Sequence, residues 1–313
     1  MVRGEPLLGD GEPVFAFDVG GTDMKAAIVD GAGALREVVR VPTPHDGDRT
    51  AERVLERLAG VAADFAARHP DIVPAAAGLL VPGHVDDDRG VGVFAENLGW
   101  QDFPFRDRAS ALLKIPVAFS HDVRGAGEAE YRLGAAAGFD DVVVAVIGTG
   151  IAAAIFVQGQ LIVGGGLAGE IGHDRVADGP VCACGGHGCL EAVASAAAIT
   201  RRYNAKTGSN VEGAREVLER MHAGDANAAW VWDEAMDALA LGLSHTVALV
   251  APQAIVIGGG LSLAGDDLFV PLRARLDEIL TFHRRPQLIP ASIGADAGLI
   301  GAALRARDVL VTS

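Results

Sequence analysis

The three cysteines of this chain fall within eight consecutive positions, Cys182-Ala183-Cys184-Gly185-Gly186-His187-Gly188-Cys189. No other feature restricts the fold as strongly, because so short a segment must close on itself. Three thiols cannot all pair within one chain, and a Cys-x-Cys disulfide would be strained. Three thiolates and one imidazole instead make a closed tetrahedral zinc site with no position left for water. Glycines after Cys184 and before Cys189 supply the backbone freedom such a loop needs. Two histidines compete for the fourth place. His173, in Gly169-Glu170-Ile171-Gly172-His173, is preferred to His187, which sits inside the loop. Glu170 and Glu191 bracket the segment, and a structural Zn2+ would hold both as part of a substrate pocket.

Composition narrows the function classes. The chain has 313 residues, half of them hydrophobic, which suits one or two substantial cores. A net charge of −15 argues against a nucleic-acid partner, which calls for a basic face. No basic, Trp-flanked amphipathic stretch points to a membrane surface. Met1–Pro13 is polar and reads as a loose segment without the apolar core of a signal peptide. The longest apolar run, Val142 to Val157, is broken by Gly148-Thr149-Gly150 and is too interrupted to span a bilayer. Few cysteines, clustered as metal ligands, fit a reducing cytoplasm. The expectation is a cytoplasmic globular protein.

Two strand-turn-strand passages stand out, one in each half. Val14–Phe17 leads into Asp18-Val19-Gly20-Gly21-Thr22-Asp23-Met24-Lys25, and Ala26–Val29 follows, a hairpin pattern. Gly20 and Gly21 let backbone N–H groups approach an anion, Thr22 adds a hydroxyl and Lys25 a positive charge. Asp18 at the strand end could hold Mg2+ or its water. The spacing is neither that of a Walker A loop nor that of a Rossmann fingerprint. Val142–Ile147, Gly148-Thr149-Gly150 and Ile151–Val157 repeat this organisation, so two glycine turns could clamp a polyphosphate from two sides. A third glycine turn, Gly258-Gly259-Gly260, follows the apolar run Ile255–Ile257 and could lie flat against a planar or phosphorylated group.

Between these landmarks, Thr50–His69 has helical spacing and Ala75–Val81 reads as a strand. Asp86-Asp87-Asp88 reads as a solvated turn. Asn97, beside Gly99 and Trp100, offers donor and acceptor to a sugar hydroxyl. Ile115–Phe119, a short strand, runs into Ser120-His121-Asp122, a candidate acid/base pair or else a helix cap. Gly125–Leu133, Ala192–Tyr203 and Val211–His222 read as helices. Asn227–Val250 reads as a long buried helix, and Gly294–Gly301 opens a final one.

Taken together, these stretches resemble the ROK family (repressors, unassigned reading frames and sugar kinases) of the actin-like ATPase superfamily, over roughly Phe15 to Ala303. Gly-Glu-Ile-Gly-His followed by Cys-x-Cys-Gly-x-x-Gly-Cys-x-Glu is the most specific part of the likeness. The resemblance implies a two-lobed α/β actin-like (ribonuclease H-like) fold with a cleft. The small lobe would span residues 1–119 plus a final helix at about 299–313, and the large lobe 120–298. It implies that the Asp18–Lys25 turn is the first phosphate motif, Gly148-Thr149-Gly150 the second, and Gly258-Gly259-Gly260 the adenosine motif. Asp122 matches the general base, and Asn97, Glu170, His173 and Glu191 match sugar contacts. His173 would also bind zinc, with Cys182, Cys184 and Cys189, through its other nitrogen. The family's kinases usually carry Glu-Asn-Asp where this chain has Ser120-His121-Asp122, so an imidazole replaces an amide that helps hold the sugar.

The expected function is phosphorylation of a hexose hydroxyl by ATP, with Mg2+ and Zn2+, and the resemblance implies a homodimer or else a tetramer. Glucose is the first expectation, and N-acetylglucosamine, N-acetylmannosamine, mannose or fructose are alternatives. Polyphosphate as donor would call for a basic channel, against the acidic balance. A sugar-responsive repressor would need a helix-turn-helix domain before the first phosphate motif, and too few residues precede Phe15 for its paired helices. A catalytically silent sugar-binding regulator is the third class, opposed by Asp18, Asp122 and the glycine turns.

Overall fold

Alternation along strand β1 (Val14–Val19) sends Phe15, Phe17 and Val19 into one hydrophobic cluster and Val14 and Ala16 into another. A strand buried on both faces needs a layer of helices on each side, and the chain supplies them. The computed structural model describes residues 7–311. Of the expected loose segment Met1–Pro13, the part up to Pro6 lies outside the described residues.

After β1 come β2 (Asp23–Val29), β3 (Leu35–Pro42), α1 (Thr50–Arg68), β4 (Ala76–Val81), β5 (His84–Asp86), β6 (Val91–Ala95) and β7 (Trp100–Phe103). Then follow α2 (Phe105–Leu113), β8 (Val117–His121) and α3 (Asp122–Leu133). A second series contains β9 (Val142–Ile147), β10 (Ile151–Val157), β11 (Gln160–Leu161), α4 (Leu190–Ala194), α5 (Ala196–Thr207), α6 (Ala214–His222) and α7 (Ala226–Val250). It closes with β12 (Ala254–Gly258), α8 (Asp266–Ile279) and β13 (Gln287–Pro290), and α9 (Ala297–Val311) follows.

The chain divides into two units. Unit 1 holds the residues up to Gly134, the short segment Val163–Leu167, and those from Ala295 on; unit 2 holds Ala135–Ile162 and Ala168–Gly294. The break expected between Phe119 and Ser120 thus falls instead after Gly134, because α3 packs against α9 within unit 1. Each unit carries a five-stranded sheet, ordered β3-β2-β1-β4-β8 in unit 1 and β11-β10-β9-β12-β13 in unit 2. In both, the first three strands form an antiparallel meander, and the last two run parallel to the first. A small sheet, β5-β6-β7, belongs to unit 1. Among the described residues no helix is long and apolar enough to cross a membrane.

In unit 1, α1 presents Val54, Leu55, Leu58, Val61 and Phe65 to one face of the sheet, and α9 presents Leu299, Ala302, Ala303 and Ala306 to the other. Each such Val, Leu or Phe contributes about 1.5–3 kcal/mol of burial free energy. The α9 contact is unusually close. A Cβ on Gly78 would stand 1.9 Å from the Ala302 carbonyl oxygen, and one on Gly301 would stand 2.0 Å from that of Gly125. In unit 2, α7 buries Val231, Trp232, Met236, Leu239, Leu243 and Val247, together with the small residues Ala238, Ala240 and Gly242, so it is the expected buried helix apart from an exposed stripe and the exposed Trp230 and Leu249 near its ends. Its Gly242 leaves room for Leu190, whose Cδ2 lies 2.7 Å from where a Cβ would be, and so seats α4. The helix expected over Ala192–Tyr203 is split at Ser195, whose backbone is extended and whose side chain accepts the Ala198 N–H as an N-cap.

Candidate active site

The sequence-derived residues gather in two clusters, one in each unit. The first forms at the carboxyl ends of the parallel strands β1, β4 and β8, the usual ligand-facing edge of an α/β sheet. Asp18 and Lys25 stand directly opposite in the β1–β2 ladder, with Lys25 Nζ 3.8 Å from Asp18 Oδ2. Lys25 also donates to the Ala295 carbonyl at 2.5 Å. Gly20-Gly21-Thr22 forms the turn, closed by the Gly20 N–H on the Asp23 carbonyl at 3.0 Å. Thr43, just beyond β3, braces it: its N–H donates to the Thr22 carbonyl at 2.8 Å and its hydroxyl to the Gly20 carbonyl at 2.7 Å. Thr22 itself is left exposed. Asn97 lies over the turn, its Nδ2 only 2.8 Å from where a Cβ on Gly21 would sit.

Asp122 opens α3, with His121 as the extended N-cap residue (φ −71°, ψ 142°), so the helix starts three residues earlier than the sequence pattern gave. Asp122 Oδ1 accepts the Val123 N–H at 2.7 Å and lies 3.3 Å from Nε2 of the buried His121. Burial pushes the Asp122 carboxyl up to about 6. Burial and the nearby Asp122 charge push Asp18 up to about 6 as well, against the opposing pull of Lys25. Gly298 at the start of α9 stands against the same carboxylate: a Cβ there would come within 2.3 Å of Asp18 Oδ2. Asp18, which feels the Asp122 charge and is only partly offset by Lys25, offers carboxylate oxygen of the kind that suits a divalent cation.

The acidic run Asp86-Asp87-Asp88 is the expected turn, with Asp88 exposed, but Asp87 points inward. The Asp87 side chain is only 13% exposed and accepts from Arg124 Nη2 and from Ser120 Oγ, both at 2.9 Å. Arg124 is 1% exposed and also donates to the Gly166 carbonyl at 3.2 Å. Neither Asp87 nor Arg124 was singled out by the sequence. The available signal was an arginine among the small residues Gly125, Ala126 and Gly127, where an unpaired charge could not be buried.

The second cluster lies in unit 2. Gly148-Thr149-Gly150 joins β9 to β10, and its carboxylate neighbour comes from a distant segment: Glu191 Oε2 accepts the Ile151 N–H at 2.9 Å. A Cβ on Gly150 would stand 2.5 Å from that oxygen. Gly258-Gly259-Gly260 ends β12, and Gly259 (φ +81°) lies on the Ile147 carbonyl, 2.4 Å from where its Cβ would be. The second and third glycine turns are therefore neighbours. Gly169 and Gly172 explain the Gly-Glu-Ile-Gly-His pattern. Side chains there would strike the carbonyls of Ala153 and Ile151 at 1.9 and 2.1 Å, so the segment lies flat on β10 and presents Glu170 and His173. His173 Nε2 is 3.9 Å from Glu170 Oε2.

The opposite ring nitrogen faces sulfur. His173 Nδ1 is 3.6 Å from Cys182 Sγ, and Cys184 Sγ is 3.7 Å from Cys189 Sγ. Among the described residues, ligand atoms of His173, Cys182, Cys184 and Cys189 all lie within 4.8 Å of one another. A tetrahedral zinc with Zn–S of about 2.3 Å and Zn–N of about 2.0 Å requires S···S near ~3.8 Å and S···N near ~3.6 Å. The four residues fit such an ion. His187 is outside the set, paired by its backbone with Val181. Burial pushes the Cys189 thiol up to about 12, so a metal must displace a firmly held proton, as thiolate ligation requires. Cys189 caps α4, which places Glu191 two residues into the adjoining helix.

Known proteins are similar to this chain over nearly its whole length. The model of the ROK family matches residues 14–309. A glucokinase from Halalkalibacterium halodurans is 32% identical over 312 residues, covering 91% of this chain and 92% of its own. An N-acetylmannosamine kinase from Escherichia fergusonii is 31% identical over 296 residues, covering 93% and 97%. The crystal structure of a ROK family glucokinase from Streptomyces griseus, in complex with glucose and AMPPNP, superimposes with a TM-score of 0.80. Its identity is 31%, with 95% of this chain and 99% of that one covered.

Proposed function

The chain belongs to the ROK family, and from that premise we propose that it is an ATP-dependent sugar kinase that phosphorylates a hexose, glucose first, to its 6-phosphate. The observation that carries the reading is Asp122, a carboxylate at the end of β8 with one oxygen tied to the Val123 N–H and its proton affinity raised by burial. A base with a pKa of about 6 is mostly ionised at neutral pH yet still able to take a proton.

Asp122 takes the proton of the sugar hydroxyl as that oxygen attacks the γ-phosphorus. The bond from phosphorus to the β–γ bridging oxygen breaks, and ADP leaves. Because Oδ1 is engaged by Val123 and His121, Oδ2 is the oxygen that receives the proton. In unit 1 the N–H groups of Gly21 and Thr22, in the turn that the Gly20 N–H closes, neutralise phosphate charge together with Lys25. In unit 2 those of Thr149 and Gly150, in the turn that the Gly148 N–H closes on the Gly150 carbonyl, do the same, and Gly258, Gly259 and Gly260 lie against the adenosine. Asp18 would hold Mg2+ or its water, and that ion would neutralise charge on the phosphates. Phosphoryl transfer asks mainly for positioning and charge neutralisation, and this set supplies both.

Asn97 and His121 offer hydrogen bonds to the sugar from unit 1; Glu170, His173 and Glu191 offer theirs in unit 2. Zinc on His173, Cys182, Cys184 and Cys189 is structural in this reading: it fixes the imidazole and the helix that carries Glu191. The spacing of sulfur and nitrogen supports it. A homodimer belongs to the same reading. His121 is the reason to keep a second sugar in view, since an imidazole beside the base changes the contact near the reacting hydroxyl; N-acetylmannosamine is then the leading alternative.

The test is ADP release with ATP, magnesium and a panel of hexoses and amino sugars. Turnover on glucose supports the proposal, and preference for an amino sugar moves it to the alternative. Silence across the panel from folded, zinc-loaded protein would overturn it.

A further inference from the structure

Each carboxylate oxygen of Asp87 accepts a hydrogen bond from a residue that flanks Asp122, and Arg305 Nη1 stands 4.0 Å from Oδ2 as a further counter-charge. Oδ2 accepts the Ser120 hydroxyl, and Oδ1 accepts Arg124 Nη2, each at 2.9 Å. Ser120 is the penultimate residue of β8, and Arg124 lies in the first turn of α3. The strand-to-helix junction that carries Asp122 is thus held from one point on both sides. Both partners are closed off from solvent, Ser120 at 0% and Arg124 at 1% exposure. Arg124 is anchored a second time on the Gly166 carbonyl, and Gly166 is itself pressed onto the Val85 carbonyl, where a Cβ would come within 2.0 Å. Val85 precedes Asp87 by two residues, so the two anchors of Arg124 share one rigid support.

Charge makes the arrangement more than a brace. A buried guanidinium requires a carboxylate, and two are near Arg124: Asp87, which bonds it, and Asp122, which feels its charge. With Asp87 engaged, the Asp122 carboxylate stays available for another proton donor.

We propose that Asp87 is a positioning residue for the phosphoryl-transfer step, tying Ser120 and Arg124 together so that the Asp122 carboxylate is held at the reacting hydroxyl and kept free of Arg124. The proposal rests on Asp122 being the base. It concerns a residue 35 positions upstream whose carboxylate is bonded to other side chains of the protein.

The test is a double-mutant cycle on the full chain, with turnover and sugar KM measured for Asp87→Asn, Asp122→Asn and the pair. Asp87→Asn keeps the shape of the side chain but halves its capacity to accept. It should lower kcat about ten- to hundredfold with sugar KM changed less than about threefold, the cost of a displaced reacting group. In the Asp122→Asn background the same change should cost less than about twofold, because its effect passes through Asp122. Asp88→Asn, an exposed neighbour in the same acidic run, should leave turnover unchanged. Equal losses in both backgrounds, or wild-type kcat in folded Asp87→Asn, overturn the proposal while leaving the base assignment intact. Wild-type turnover in Asp122→Asn overturns the base assignment and the proposal with it. If Asp87→Asn does not fold, Ser120→Ala, which removes one arm with little change of volume, carries the same cycle with the same criteria.

Discussion

At the turn after β1, Lys25 faces Asp18 across the hairpin; at the corresponding place after β9, the opposed pair is Val146 and Ala152. The two units repeat one sheet order and one pattern of strand directions, yet only the first hairpin carries its own charges. The second hairpin is neutral, and its carboxylate is borrowed from Glu191, which reaches the Ile151 N–H from the helix capped by Cys189. One backbone plan thus serves two purposes. In unit 1 the charged groups are written into the strands, and in unit 2 the carboxylate is brought in by the helix that follows the cysteine loop. Function sits in the grafted residues and not in the shared scaffold.

That contrast can be broken at several points. The largest effect should come from Asp122→Asn, which removes the base and keeps the shape: kcat should fall by about 10² to 10⁴ with sugar affinity nearly unchanged, as turnover and calorimetric titration would reveal. Next is Lys25→Met, which removes the cation of the first turn and leaves Asp18 without its partner across the hairpin. It should lower kcat/KM for ATP by about 10²-fold, the usual cost of losing one charge-stabilising group, and leave sugar binding alone. Cys184→Ser attacks unit 2 instead. Loss of zinc, read by metal analysis of the purified protein, should raise sugar KM by about ten- to hundredfold with a much smaller change in ATP KM. Glu191→Gln keeps an acceptor for Ile151 and removes the charge, so it should raise sugar KM only several-fold, within about 1–2 kcal/mol. The mildest effect is on pH. Asp18 and Asp122 both have carboxyls pushed up to about 6, and both act ionised, so kcat/KM should rise with pH through about 6 and level off above it. With two such groups the acid limb should be steeper than one proton, and Asp18→Asn should reduce it to a single-proton slope.

What the sequence made legible was local. The hairpin turns, the triple glycine and the cysteine loop each announce themselves within ten or so neighbouring residues, because strand alternation, turn glycines and ligand spacing are short-range constraints. Gly78 gave no such signal, since it is required by a backbone that arrives from far along the chain. Asp87 was misread for the same reason: its partners Ser120 and Arg124 lie 33 and 37 residues away. The choice between His173 and His187 also needed coordinates, because either spacing allows four ligands and only the folded loop brings His173 Nδ1 to the sulfurs. The division after Gly134 was hidden by the pairing of α3 with α9, two helices separated by all of unit 2.

That last pairing has a consequence for the order in which the protein can be made. Val14, Ala16 and Leu80 are covered by Leu299, Ala302 and Ala303 of α9, which is synthesised only after every residue of unit 2. At elongation rates of about 5–20 residues per second, the sheet of unit 1 waits on the order of ten seconds with one apolar face bare. Unit 2, continuous from Ala168 to Gly294, has no such wait. The half that begins first on the ribosome is therefore the half that finishes last, and a chaperone that shields sheet faces would find its client in unit 1.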